Sequence, residues 1–238
     1  MKKTILSHFY NEEYLLPWWL NHHKEIFDDG ILIDYDSTDR SVEIIKEICP
    51  SWTVVTSANR IFEPFAVDRE IMDYESKIQG YKMALNTTEF LVGNHNDLNK
   101  ETYVIPCIVM VDPPSENSNA PNYDCSLICQ KYFGMSHQDS RFRRCRALHN
   151  HSINYTVGRH FDSPNTEDLA VLWYGWSPYT SDMLKRKLQI KNRMPVHHNG
   201  FGIQHTMGIE EMQKTHDSYS KLAIDLRPTI SKYFSFSD

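Results

Sequence analysis

The sequence predicts an α/β fold, a single domain built on a mostly parallel central sheet flanked by helices, and three observations carry that reading. The first sixty residues alternate short apolar runs with amphipathic stretches in the order β-α-β-α-β, the signature of parallel strands joined by right-handed crossovers. The chain of 238 residues is 40% hydrophobic with 13 Tyr, 11 Phe and 5 Trp, enough to fill a core and to exclude disordered and fibrous classes. Acidic and hydroxyl residues gather where the predicted strands end, the place where sheets of this kind bind ligands.

Residues 3 to 9 alternate loosely and stop at Asn11-Glu12-Glu13, which predicts a first strand. Tyr14 to Phe27 places Leu15, Leu16, Trp19, Leu20 and Ile26 at helical spacing, with Pro17 near the first turn, where its missing N–H matters least. Asp28-Asp29-Gly30 ends that helix, and Ile31-Leu32-Ile33-Asp34 is an apolar run of strand length. Val42, Ile44, Ile45 and Ile48 form a second helical stripe closed by Pro50, and Trp52 to Ser57 gives a third strand. Residues 67 to 83 read as helix, Ala84 to Val92 as a central strand and Tyr103 to Val111 as another. The Pro/Ser/Asn-rich stretch from Asp112 to Asn122 reads as a surface loop between two halves of one domain, 1–111 and 112–238. The second half is dense in His, Arg and aromatic residues and yields no clear element order.

A net charge of −6 provides no basic field for nucleic acid or an anionic membrane, so phosphate contacts must come from a local cluster. No apolar run approaches the ~18 residues of a spanning helix, and the basic start meets acidic residues too soon for a signal peptide. The five cysteines form no CxxC pair, which fits free thiols in a reducing compartment. A cytoplasmic protein is the expectation.

Asn11-Glu12-Glu13, Trp19-Leu20-x-His22-His23 and Ile33-Asp34-Tyr35-Asp36-Ser37-Thr38-Asp39-Arg40-Ser41 resemble the opening of family-2-like GT-A glycosyltransferases over about the first ninety residues. The resemblance implies a Rossmann-like GT-A fold and a nucleotide-sugar donor, UDP- or GDP-linked. It also implies transfer to an oligosaccharide or glycan acceptor, with inversion by direct displacement. It assigns the nucleotide to Phe9, Tyr10, Asn11, Asp34, Asp36, Asp39, Arg69, Asn86 and Thr88. A carboxylate at Asp34 or Asp36 suits base and ribose donors. Asp36-Ser37-Thr38-Asp39 is equally a set of helix-capping residues, and both roles are compatible.

Relatives end their metal strand in Leu-Asp-x-Asp-Glu-Phe, whereas this chain reads Leu85-Asn86-Thr87-Thr88-Glu89-Phe90. Mn²⁺ or Mg²⁺ is the cofactor that the resemblance implies. Asn86 and Thr88 are poor ligands for a hard cation, which leaves Glu89, also a candidate acceptor contact, as the only strong oxygen donor. His205 is a further candidate ligand. Without a metal the departing diphosphate needs other cations, and residues 185–193 hold five in nine positions, with Lys187, Lys191 and Arg193 the candidates.

The same stretch, with Trp173-Tyr174-Gly175-Trp176 before it and Pro195-Val196-His197-His198 after it, resembles the C-terminal part of a viral and bacterial subgroup of these enzymes. There an acidic residue often follows the Pro, placed to deprotonate the acceptor. This chain offers His198 with His197 beside it, and imidazole is basic near neutrality. Trp173 and Trp176 are candidate sugar-stacking residues or core. Arg141-Phe142-Arg143-Arg144-Cys145-Arg146, with His149, His151 and His160, reads as an acceptor groove, a site for an anionic lipid or polymer, or an exposed helix face. A zinc hydrolase is disfavoured because no HExxH occurs. A GT-A-like binding module without catalysis is the competing class.

Overall fold

The computed structural model describes residues 1–116, 120–135, 144–161, 163–194 and 205–236. The parallel half of the sheet begins with β1 (Lys3–Phe9), β2 (Asp29–Asp34) and β3 (Thr53–Thr56). They are joined by α1 (Leu16–His23) and α2 (Ser41–Ile48) and pair in the order β3-β2-β1. α3 (Pro64–Glu75) then returns the chain to β4 (Tyr81–Ala84), which runs parallel to β1 on its other side. The order of strands reverses between β1 and β4, so a crevice opens above their carboxyl ends.

The structure moves two predicted boundaries. The helix expected over 67–83 ends at Glu75, and Tyr81–Ala84 is a strand buried on both faces, in which the buried Lys82 interrupts the apolar run and leaves no alternation to mark it. Gly80, with φ +94°, makes the turn between them. The single strand expected over Ala84 to Val92 is two, because the chain turns at 85–88 and β5 (Glu89–Gly93) leaves the main sheet.

The second half weaves in strands of both directions. β6 (Thr102–Val111) lies alongside β8 (Cys145–His149), which fits antiparallel between it and β4. β9 (Leu169–Trp176) runs parallel to the end of β6 and antiparallel to β5. The short α4 (Leu127–Gln130) and β7 (Phe133–Gly134) precede β8. α5 (Ser181–Gln189), a 3-10 turn Ile190–Arg193, α6 (Ile209–Ser220), β10 (Ile224–Asp225) and α7 (Arg227–Ile230) complete the described chain. One hydrophobic core runs from Ile5 and Trp19 through Leu172 to Ile230, so both halves pack into the same interior. No helix among the described residues is long and apolar enough to cross a membrane.

Trp19-Leu20-x-His22-His23 acts as a clamp. The Trp19 indole donates to the carbonyls of Asn86 (3.1 Å) and Glu89 (2.9 Å). His23 accepts from the Leu91 amide (3.3 Å), while its other nitrogen lies 2.9 Å from the Trp19 carbonyl. His22 contacts the Leu91 carbonyl at 2.6 Å. Burial holds both rings neutral, pushing His22 down to about 4. α1 therefore fixes the 85–91 segment by uncharged hydrogen bonds.

Candidate functional site

Two residues with left-handed backbone build the loops above β1 and β2: Asn11 (φ 51°) and Asp36 (φ 65°). The Asn11 side chain joins the loops, its oxygen accepting from the amides of Thr38 (2.7 Å) and Asp39 (3.3 Å). Asp34 accepts from the Ser37 amide at 2.9 Å. Asp39 accepts from the amides of Glu13 (3.0 Å) and Ser41 (3.0 Å), occupying both its oxygens. The loop is thus rigid before any ligand arrives, and Asn11 and Asp39 serve chiefly as its ties. Asp36 differs. It is exposed, flanked by Arg60 (3.5 Å) and Arg193 (3.5 Å), and open to a ligand.

The Arg193 guanidinium lies 4.4 Å from the centroid of Tyr10 and 5.7 Å from that of Tyr35, and reaches the Asp36 carbonyl at 3.3 Å. Its own carbonyl accepts from the Phe62 amide at 2.8 Å, and the Phe62 ring meets His205 at 5.3 Å. Arg186 pairs with Glu12, one bond spanning 2.7 Å, and locks α5 onto the β1–α1 loop. The Lys187 ammonium sits 4.0 Å from the Trp176 ring centroid. Burial first, then Arg186, push Lys187 down to about 7 against the pull of Glu12. The cationic stretch therefore divides: Lys185 and Lys191 face solvent, while Arg186, Lys187 and Arg193 turn toward the crevice.

Several expected site residues stand elsewhere. The Phe9 side chain belongs to the core, 3% exposed, rather than to the crevice. Arg69 points to solvent on the outer face of α3, because its neighbours Asp68 and Glu70 take the inner positions. Trp176 is buried beneath Lys187, and Trp173 is half-buried with the Arg144 guanidinium 5.1 Å from its ring. Of the arginine run, Cys145 and Arg146 open β8, in which Arg146 and His149 are buried, while residues 141–143 lie outside the described residues. His197 and His198 lie outside the described residues.

Glu89, expected as a metal ligand or acceptor contact, is corrected to a buried partner of Arg146. The Arg146 Nε donates to both its oxygens, at 2.9 and 3.0 Å, and the Asn86 amide donates to Oε2 at 2.8 Å. Arg146 also donates to the carbonyls of Gly158 and Arg159 (2.8 Å). Arg159 donates from Nη2 to the Asn86 side-chain oxygen at 2.8 Å and from Nη1 to Asp68 at 2.7 Å. Thr88 is buried, its carbonyl accepting from the Tyr174 amide. His160 reads out the local field: burial, then Arg146, Arg144 and Arg159, push it down to about 2.

These residues do not fit a divalent cation. A hard ion seeks carboxylate oxygens, and the only carboxylates within the network, Glu89 and Asp68, are paired with guanidiniums. An ion on the Asn86 oxygen would have to displace the Arg159 guanidinium that already occupies it and stand beside that positive charge. Nor does His205 supply a ligand set: burial, Lys187 and Arg186 push it down to about 4, so its neighbours are cations. No group of three or more His, Cys, Asp or Glu side chains suited to a metal ion occurs among the described residues.

Sequence reasoning missed Asp68, Arg159 and Glu70, and read Arg146 only as one member of a cationic cluster. The Glu70 carboxylate accepts from Ser57 (2.7 Å), the Ala58 amide (2.8 Å) and Asn59 (2.8 Å), and meets His8 at 2.8 Å. It organises the loop after β3. Asp68 and Glu70 gave little signal, because two residues apart on a helix lie on different sides and α3 carries further acids at Asp73 and Glu75. Arg159 offered none, because its partners are distant in sequence.

The chain matches no protein-family model and no curated protein sequence. Among solved structures, TarS 1-349 of S. aureus is similar at 14% identity and a TM-score of 0.36, covering 63% of this chain and 47% of that one; TarS 1-349 has also been solved with UDP and with UDP-GlcNAc. Glucosyl-3-phosphoglycerate synthase from Mycobacterium tuberculosis, with Mg²⁺ and UDP, is similar at 13% identity and a TM-score of 0.34, covering 63% of this chain and 56% of that one. The inositol-1-phosphate CTP transferase from T. maritima is similar at 7% identity and a TM-score of 0.40, covering 82% and 98%. The chain spans about half the length of the first two. At these TM-scores the superpositions are partial, and the α/β architecture stands on the strand order and pairing above.

Proposed function

We propose that the protein is a GT-A-type glycosyltransferase that moves a sugar from a UDP- or GDP-linked donor onto a carbohydrate acceptor. One observation carries this reading: Tyr10, Tyr35, exposed Asp36 and Arg193 meet at the carboxyl ends of β1 and β2, beside the point where the strand order reverses. Such a crevice suits a nucleotide. The partly exposed Tyr10 and a guanidinium can stack on a base, a carboxylate accepts from ribose hydroxyls, and nearby cations meet the diphosphate. TarS and the synthase, whose solved structures hold UDP, agree with this reading without carrying it.

In the proposed reaction the acceptor oxygen attacks the anomeric carbon from the face opposite the nucleotide. The bond from that carbon to the β-phosphate oxygen breaks, and the configuration inverts. A base takes the hydroxyl proton, for which His198 is the candidate and His197 its neighbour. Arg193 and Lys187 stabilise the negative charge of the leaving diphosphate. Trp173, half-buried near Arg144, is the remaining aromatic candidate for the acceptor side.

Thermal melts against nucleotides and nucleotide sugars test the reading. A ligand at 100 times its Kd adds about 2.7 kcal/mol, a visible rise in midpoint. A rise with one nucleotide sugar, followed by transfer of its sugar, is the expected result. The closure of Glu89 by Arg146 favours one competing reading, a sugar- or nucleotide-binding module without catalysis. Binding with no transfer to any glycan acceptor would select it.

A further inference from the structure

Building on the nucleotide-sugar reading, we infer that this chain binds the donor diphosphate without a divalent cation, the Arg159 guanidinium holding the Asn86 side chain where an ion would have to bind. Asn86 and Thr88 stand where the resemblance leads one to expect the metal carboxylates, and the geometry shows what replaced them. The Asn86 oxygen accepts from Arg159 at 2.8 Å, and that guanidinium is fixed from its other side by Asp68 at 2.7 Å. Asp68 also accepts from the Gly158 amide at 2.7 Å, so the loop carrying Arg159 is anchored at two points. Glu89, the one acid left in the motif, is bound along its whole carboxylate edge by Arg146.

The two carboxylates nearest this point are spent on guanidiniums, Glu89 on Arg146 and Asp68 on Arg159, and burial together with Arg146, Arg144 and Arg159 keeps His160 neutral. The Nε of Arg159, although buried, has no hydrogen-bond partner among the described residues. A buried guanidinium donor left unspent, beside carboxylates that are already paired, favours an anion over a dication. Arg193 and Lys187 at the mouth of the crevice supply the remaining positive charge toward the diphosphate. Arg146 and Arg159 are positioning residues in this scheme, and Arg193 and Lys187 touch the ligand.

Calorimetric titration of the full chain with UDP and with GDP, in EDTA and again in excess Mn²⁺, tests the inference. For the nucleotide that binds, affinity is expected to persist in EDTA and to stay equal or fall in Mn²⁺, because the ion chelates the free diphosphate and competes with the protein. Arg193→Ala is expected to weaken that binding about tenfold in EDTA, the loss of one charge-assisted contact. Electron paramagnetic resonance of Mn²⁺ should show a free-ion signal no smaller with protein and nucleotide than with nucleotide alone. Binding that appears only with Mn²⁺, or a protein-dependent loss of the free-ion signal, overturns the inference while leaving the nucleotide reading intact. Absence of binding by either nucleotide under both conditions overturns the functional reading and this inference with it.

Discussion

Replacing Arg146 by Met keeps most of the side-chain volume and removes the charge, so the loss of stability isolates the buried network. Arg146 is 2% exposed, donates to both oxygens of Glu89 and also to two carbonyls on the 158–159 loop. Removing one member of such a pair leaves an uncompensated buried charge, which destabilises by about 3–5 kcal/mol. With a urea m-value of roughly 3 kcal/mol/M for a chain of this size, the unfolding midpoint should fall by about 1–2 M. The double variant Arg146→Met with Glu89→Leu removes the orphaned carboxylate as well, and should recover more than half of that loss. Urea titrations of the four proteins, followed by tryptophan fluorescence, measure the cycle. A midpoint shift below about 0.3 M for the single variant, or a double variant as unstable as the sum of the singles, would refute the claim that Glu89 is held as a structural ion pair.

Glu70 gives a pH prediction. Burial raises its pKa, but bonds from His8, Ser57, Ala58 and Asn59 outweigh that and bring it from 4.5 down to about 2. A carboxylate depressed on folding stabilises above its unfolded value, so the advantage of the native protein over Glu70→Gln should be full above pH 4.5 and shrink toward pH 2 in acid-unfolding curves. Lys187, lowered to about 7, loses its proton as pH rises through that value, so UDP or GDP affinity should fall by up to about tenfold per unit above it. Lys187→Met should flatten that profile in the same titration. His198→Ala should abolish sugar transfer and leave nucleotide affinity unchanged, and normal turnover by this variant removes His198 from the mechanism.

Apolar runs and punctuation placed the β-α-β-α-β opening, because α1 and α2 each carry an apolar stripe and the strands are short apolar runs set off by polar residues such as Asn11-Glu12-Glu13. The reading failed at Tyr81–Ala84, where the buried Lys82 breaks up a strand of 4 residues, and at β8, where Arg146 and His149 disguise an interior strand as a charged surface. The capping and ligand readings of 36–39 could not be separated on paper. The structure divides them by residue, with Asp39 turned to backbone amides and Asp36 left open.

The candidate site was legible where chemistry is local and hidden where it is long-range. The cationic run of 185–193 named the right segment, yet only its fold decides that Arg186 clamps Glu12, Arg193 covers Tyr10 and Lys191 faces water. Asn86 and Thr88 stood out in the sequence where the resemblance expects aspartates, but the guanidinium that holds Asn86 lies 73 residues away at Arg159 and cannot be found by spacing. A neutral Asn bonded by a guanidinium and a carboxylate neutralised by another are the same adjustment made twice. Placing an aspartate there, as in Asn86→Asp, would therefore create a stronger partner for Arg159 rather than a metal site. Such a variant should be more stable or unchanged in urea unfolding and should show no gain in Mn²⁺ affinity; a new Mn²⁺ site in it would mean that Arg159 yields the position readily, against the two-point anchoring by Asp68.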